Sequence, residues 1–170
     1  MKKVAKWSLT NEAGKGMFKC RLEQATTKSK HFTGTTKDGK EYSYHAFLSN
    51  IINGKVCWVD IVKSNFGTKF IVCLDSENGI HILENDLNAS VMSDAVGSIL
   101  NMENLTDVIS LSYSIYKAKN ADESFKLNAK GEVILKKKLF VNVNGESIKG
   151  IYNAENPKPE TAKWTQNAKG

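Results

Sequence analysis

The chain has little arginine, proline, cysteine or histidine, and each shortage excludes something. Arg21 is the only arginine, and the other 23 cations are lysines. Arginine forks onto guanine edges and reads base sequence, whereas lysine is a flexible point charge suited to phosphate. A nucleic-acid role for this composition is therefore backbone binding with little sequence preference. Cys20, Cys57 and Cys73 are odd in number and form no CxxC, which argues against a disulfide framework. Cys57 and Cys73 fall in β-like runs, where a free cysteine behaves as a small hydrophobe. His31, His45 and His81 are scattered, with no HExxH and no His–Cys pairing at zinc spacing, so neither a metal site nor a cofactor is expected. No apolar run approaches the ~18 residues of a membrane span. The basic start MKKVAKWSL has no apolar stretch behind it, so no signal peptide is expected.

Catalytic signatures are missing too. There is no GxSxG, P-loop or GxGxxG. Asp75 and Glu77 flank a hairpin turn, and Glu84 and Asp86 precede a helix whose dipole favours negative charge. These acids need no catalytic reading, and the chain is expected not to be an enzyme. A soluble, cytoplasmic, single-domain protein is the expectation from length and composition.

The charge that is present is unevenly placed. The chain carries a net charge of +6 with a pI near 9.1. Residues 1–60 hold eleven Lys/Arg against five Asp/Glu, residues 61–110 two against seven, and residues 111–170 eleven against six. Basic ends flank an acidic middle, which predicts a positive surface built from both ends of the chain.

Turn dipeptides recur at Asp38-Gly39, Asn53-Gly54, Asn78-Gly79 and Asn144-Gly145. Such pairs accept the positive φ angles of the tightest hairpin turns. The β-branched and aromatic runs between them predict strands over 42–52, 55–63, 68–75 and 80–84. In the second run Cys57, Val59 and Ile61 share one face and Trp58, Asp60 and Val62 the other, giving one buried and one mixed face. Residues 88–100 read instead as an amphipathic helix, with Val91, Met92, Ala95, Val96, Ile99 and Leu100 at helical spacing and Asn88 as cap. Residues 107–117 then alternate cleanly, with Ile109, Leu111, Tyr113 and Ile115 inward. A hairpin around Lys130-Gly131 follows, and the Pro-bearing segment 155–170 reads as a flexible tail.

Strands, one helix, then strands again is the element order of the OB-fold, a five-stranded Greek-key barrel that binds oligonucleotides or oligosaccharides. The barrel strands map to 55–63, 67–75, 79–85, 106–117 and 132–143, with the helix between the third and fourth. Residues 1–154 then form one domain, in which 1–52 is an added N-terminal β extension. Alternatively the first barrel strand starts near Ser43 and bends at Asn53-Gly54.

Residues 100–108, LNMENLTDV, lead into a strand and a lysine-bearing hairpin, and FVNVNGESIKGIY follows at 140–152. This arrangement resembles bacteriophage single-stranded DNA-binding proteins of the OB-fold type. The tail prolines Pro157 and Pro159, the strand near Trp7, the basic strand from Phe18 and the Lys/Gly turn at Asp38 fit the same pattern. The resemblance implies a protein that coats single-stranded DNA in phage replication or recombination. Many such proteins recruit replication partners through an acidic tail. Here the tail holds two acids and three lysines, which puts that recruitment in doubt.

Non-specific single-strand binding needs lysines for phosphates and aromatic faces for bases. Lys30, His31 and Phe32 offer both in one lysine-rich loop. Phe66, flanked by Lys63 and Lys69, offers them at the tip of the first barrel loop. Lys55 and Trp58 on the first barrel strand, and Tyr116, Lys117 and Lys119 after the serine-faced strand, complete the candidate set. Phe18, Lys19 and Arg21 make a weaker case, and Lys136 to Lys138 read equally as further phosphate contacts or as a solvated charge run. The expected partners are single-stranded DNA and replication or recombination proteins, with no membrane, for a monomer or homodimer. A structural or protein-interaction OB module of a virion is the alternative, with a hydrolytic enzyme behind it.

Overall fold

The computed structural model describes residues 2–65, 67–86 and 90–150. The expected tail, the Asn88 cap and Phe66 lie outside these residues. Among the described residues the fold is mainly β, with one helix. Its strands are β1 (Val4–Glu12), β2 (Lys15–Leu22), β3 (Lys30–Thr35), β4 (Glu41–Ser49), β5 (Ile51–Ser64), β6 (Gly67–Ser76), β7 (Gly79–Asp86), β8 (Val108–Lys117), β9 (Leu135–Val143) and β10 (Glu146–Ser147), and α1 (Ser90–Leu100) lies between β7 and β8. Together the strands form one ten-stranded sheet in the order β10-β9-β8-β5-β6-β7-β1-β2-β4-β3.

Local sequence sets most of the turns. Asn144 and Gly145 both adopt positive φ, 51 and 82, as the tightest hairpin turn requires, whereas at Asp38-Gly39 and Asn78-Gly79 only the glycine does. A further tight turn falls at Ala13-Gly14, with φ 52 and 86, where the Asn11 side chain accepts from the Gly14 N–H at 2.8 Å.

Asn53-Gly54 is a correction. It makes no turn and lies inside β5, where Asn53 pairs with Ser110 and Gly54 with Ile109. A Cβ at Gly54 would stand 2.9 Å from both the Asp75 carbonyl oxygen and the Leu74 Cβ. Glycine is there because the backbones approach closely, not because the chain reverses. The run 42–52 divides at Asn50, so the strand after it begins at Ile51 and not near Ser43.

β5 is long because it serves two neighbours. It pairs with β8 through residues 51–55 and with β6 through residues 55–64. The register slips between Val56 and Trp58, so Cys57 is the extra residue of a β-bulge. Past the bulge only β6 pairs with β5, and residues 57–63 are exposed on both faces. The expectation of one buried face on this stretch is thereby corrected.

The order also departs from the expected barrel mapping. β9, expected to be the fifth barrel strand, pairs with β8 and β10. The strand beside β7 is β1, from the other end of the chain, and it runs parallel to β7 with Val4 to Trp7 against Ile80 to Leu83. Residues 1–52 are therefore no mere addition. Trp7 and Leu9 of β1 and Phe18 of β2 pack on the same core as Ile52, Phe70, Val72, Leu83, Ile109, Leu111 and Val141.

Helix α1 covers this core with Val91, Met92, Ala95, Val96 and Ile99, while Leu100 stays exposed. β2 also reaches β8. A Cβ at Gly16 would lie 2.5 Å from the Tyr113 carbonyl oxygen, so only glycine fits this crossing. No helix among the described residues is long and apolar enough to cross a membrane.

Candidate nucleic-acid interface

Strands β2, β4 and β3 pair in register so that one face collects cations and rings. Arg21 stands opposite Ala46, which stands opposite Lys30; Lys19 stands opposite Leu48, and Phe32 opposite Tyr44. Residues directly opposite in an antiparallel pair share a face, so Lys19, Arg21, Lys30, Phe32, Tyr42 and Tyr44 lie on the same side. On the other side of β2, Phe18 and Cys20 are buried.

The rings form a short ladder. Phe32 stacks on Tyr44 with centroids 5.3 Å apart and planes 13° from parallel, and Tyr42 follows Tyr44 at 5.9 Å and 29°. Three cations sit on it. The Arg21 guanidinium lies 4.6 Å from the Tyr44 centroid, and the Lys19 ammonium lies 5.3 Å from both the Phe32 and Tyr44 centroids. Lys30 lies 5.4 Å from the Phe32 centroid. Lys19 also donates to the Tyr44 hydroxyl at 2.8 Å. Rings with a negative π face hold cations this way, and the cations keep their charge for other partners.

Beside the ladder runs a groove of about 400 Å³. Lys6, Lys19, Arg21 and Lys69 line it with Tyr44, and among the described residues Glu84 is the one acid of the lining. Lys69 is also ion-paired with Asp86 at 2.5 Å. The residues come from β1, β2, β4, β6 and β7, and the parallel β1–β7 pairing is what brings them together. Trp7, which also lines the groove and packs on the core, is fixed by a hydrogen bond from its indole N–H to His81 Nδ1 at 3.0 Å.

Of the residues expected from sequence, Lys30 and Phe32 are on the ladder and Lys69 is in the groove. Lys30 is also ion-paired with Glu12. His31 belongs to the opposite face. It stacks on His45 with centroids 4.5 Å apart, and its Nε2 lies 2.6 Å from the Ser43 hydroxyl. Lys55 sits where β5 passes from β8 to β6, and Lys63 near the far end of the β5–β6 hairpin, opposite Thr68. Trp58, 43% exposed, lies on the two-face-exposed part of β5.

Tyr116, Lys117 and Lys119 lie beyond the start of β5, since β8 meets β5 only through residues 108–112. They are at the other end of β5 from Lys63. Lys117 and Lys119 there flank Phe125, at 5.1 and 6.0 Å from its centroid. Phe125 is 44% exposed and makes a second cation-and-ring cluster.

Sequence reasoning missed Lys6, Tyr42, Tyr44 and Phe125 and undervalued Lys19 and Arg21. The alternation Tyr42-Ser43-Tyr44 against Lys19-Cys20-Arg21 carries the signal for the ladder. Lys117, Lys119 and Lys126 around Phe125 carry it for the second cluster.

Comparison with protein families, curated proteins and solved structures finds no match for this chain. The site stands on its own geometry. Among the described residues no group of three or more His, Cys, Asp or Glu side chains is placed to hold a metal ion.

Proposed function

We propose that the protein binds single-stranded DNA without strong sequence preference, coating and protecting it in phage DNA replication or recombination. The observation that carries this reading is the convergence of Lys6, Lys19, Arg21 and Lys69 on one groove beside the Phe32–Tyr44–Tyr42 ladder. A backbone tracks the cationic groove while bases stack on the outer ring, Tyr42, which is 42% exposed. Stacking of this kind is worth about 1–3 kcal/mol per base.

The fold reading belongs with this proposal. Strands β5, β6 and β7 run as a meander, α1 follows, and β8 returns to pair with β5. We read this order as support for an OB-type Greek key. In such a barrel the fifth strand closes beside the third, and here β1 takes that place from the N-terminal side.

The test is binding of a dT oligomer compared with duplex DNA and RNA of equal length. Tighter binding to the dT oligomer than to duplex supports the reading. Equal binding to duplex marks a generic basic surface, and no binding to any of the three rejects the proposal.

A second reading has one observation in its favour. Trp58, Val59, Ile61 and Val62 are all exposed on β5, an apolar edge of the kind that serves protein contacts. It supports a protein-interaction module of a virion, which the absence of any nucleic-acid binding would favour.

A further inference from the structure

Cys57 and Cys73 are both free, yet their sulfur atoms lie 3.0 Å apart. The β5 bulge produces this. With Val56 against Leu74 and Trp58 against Cys73, Cys57 has no partner of its own in β6. Its thiol turns across the strand pair, 3.3 Å from the Cys73 carbonyl oxygen and 3.0 Å from the Cys73 thiol. The two cysteines differ sharply in access: Cys57 is exposed, whereas Cys73 is 1% exposed. Cys20, the third cysteine, is buried in β2.

We propose that Cys57 and Cys73 are a thiol–disulfide site, closed by a hydroperoxide oxidant and reopened by a small thiol. An S–S bond is ~2.05 Å, so closure shortens the present separation by about 1 Å. Rotation about the side-chain bonds of the exposed Cys57 supplies that movement.

The roles follow from access. Hydrogen peroxide reaches Cys57, whose sulfur attacks the peroxide oxygen. This gives the sulfenic acid Cys57–SOH and releases one water. The Cys73 sulfur then attacks the Cys57 sulfur and displaces hydroxide, which leaves as a second water with the Cys73 proton. The balance is two thiols and one peroxide in, one disulfide and two waters out. Burial, and then the neighbouring Cys57 thiol, push the Cys73 thiol up to about 12. Cys73 therefore stays protonated in the reduced pair, and conversion of Cys57 to the sulfenic acid gives it an electrophilic sulfur within reach. The partner prevents over-oxidation of Cys57, and the bond ties the bulge to β6. The site is separate from the cationic groove and does not depend on it.

The experiment treats the full-length native chain with hydrogen peroxide, blocks free thiols under denaturing conditions and measures mass. The expected product is a monomer lacking two hydrogen atoms, with one alkylated cysteine, Cys20, and a peptide linking Cys57 to Cys73. Dithiothreitol restores three alkylated cysteines. In Cys73→Ser, Cys57 is expected to advance to the sulfinic acid or to cross-link two chains. Three alkylated cysteines after peroxide in the wild type would overturn the proposal. So would a disulfide that involves Cys20, or a Cys57 sulfinic acid in the wild-type chain. The wild-type mass decides the question even if the variant does not fold.

Discussion

The Trp7 indole N–H donates to His81 Nδ1 at 3.0 Å, and this bond ties the first strand to the seventh. Indole only donates, so Nδ1 is the acceptor and the neutral ring carries its proton on Nε2. Nε2 lies 3.2 Å from the Ser76 hydroxyl, which donates onward to the Gly79 carbonyl at 3.0 Å. The chain of bonds fixes β1 against the β6–β7 turn, and with it the position of Lys6 in the groove.

His81 makes stability depend on pH. Burial lowers its pKa from 6.5, so the unfolded chain takes up a proton before the folded one does. The contribution of His81 is complete above the unfolded value and is lost as pH falls below it toward the folded value. Thermal unfolding should therefore show a falling Tm from pH 7.5 down through pH 6. His81→Gln should be less stable at pH 7.5 and show a shallower fall. An equal fall in both proteins would remove His81 from this role.

Gly16 should be intolerant of any side chain. Gly16→Ala places its Cβ against the Tyr113 backbone and should cost about 1–3 kcal/mol by urea unfolding. Gly14, whose added Cβ would meet nothing within 4 Å, is the contrast for space, though its φ of 86 brings a separate backbone strain. Wild-type stability in Gly16→Ala would mean that β2 does not cross β8 this closely.

The ladder and the apolar edge can be told apart. Tyr42→Ala should weaken dT binding by about 1–3 kcal/mol with unchanged circular dichroism. Trp58→Ala should leave that affinity within about twofold, since Trp58 lies on β5 away from the rings of β3 and β4. A larger loss from Trp58→Ala than from Tyr42→Ala would move the interface to β5.

Much of the fold could be read from local pattern. The alternation of Ile109, Leu111 and Tyr113 marks β8, and all three are buried. Asp38-Gly39, Asn78-Gly79 and Asn144-Gly145 mark true turns because their backbone demand is local. Asn53-Gly54 misleads because the same residues answer a different demand, the close approach of Leu74 and Asp75. The parallel pairing of Val4 with Ile80 joins residues far apart in sequence, and no local period announces it. The groove depends on that pairing. Phe32 and Tyr44 meet through the local β3–β4 pairing, whereas Lys6 and Lys69 line one groove only because β1 lies against β7. Sequence groups His31 with Phe32, and strand alternation separates them by sending consecutive side chains to opposite faces.

The salt dependence of binding tests the groove most directly. For single strands the slope of log K against log salt is about −0.7 per phosphate neutralised. Lys19→Gln combined with Arg21→Gln should make the wild-type slope shallower by about 1.4 units. Lys136→Gln combined with Lys137→Gln, on exposed β9 positions outside the groove, should leave it unchanged. An unaltered slope in the Lys19/Arg21 variant, or a loss confined to the Lys136/Lys137 variant, would contradict the assignment of the groove to the nucleic-acid backbone.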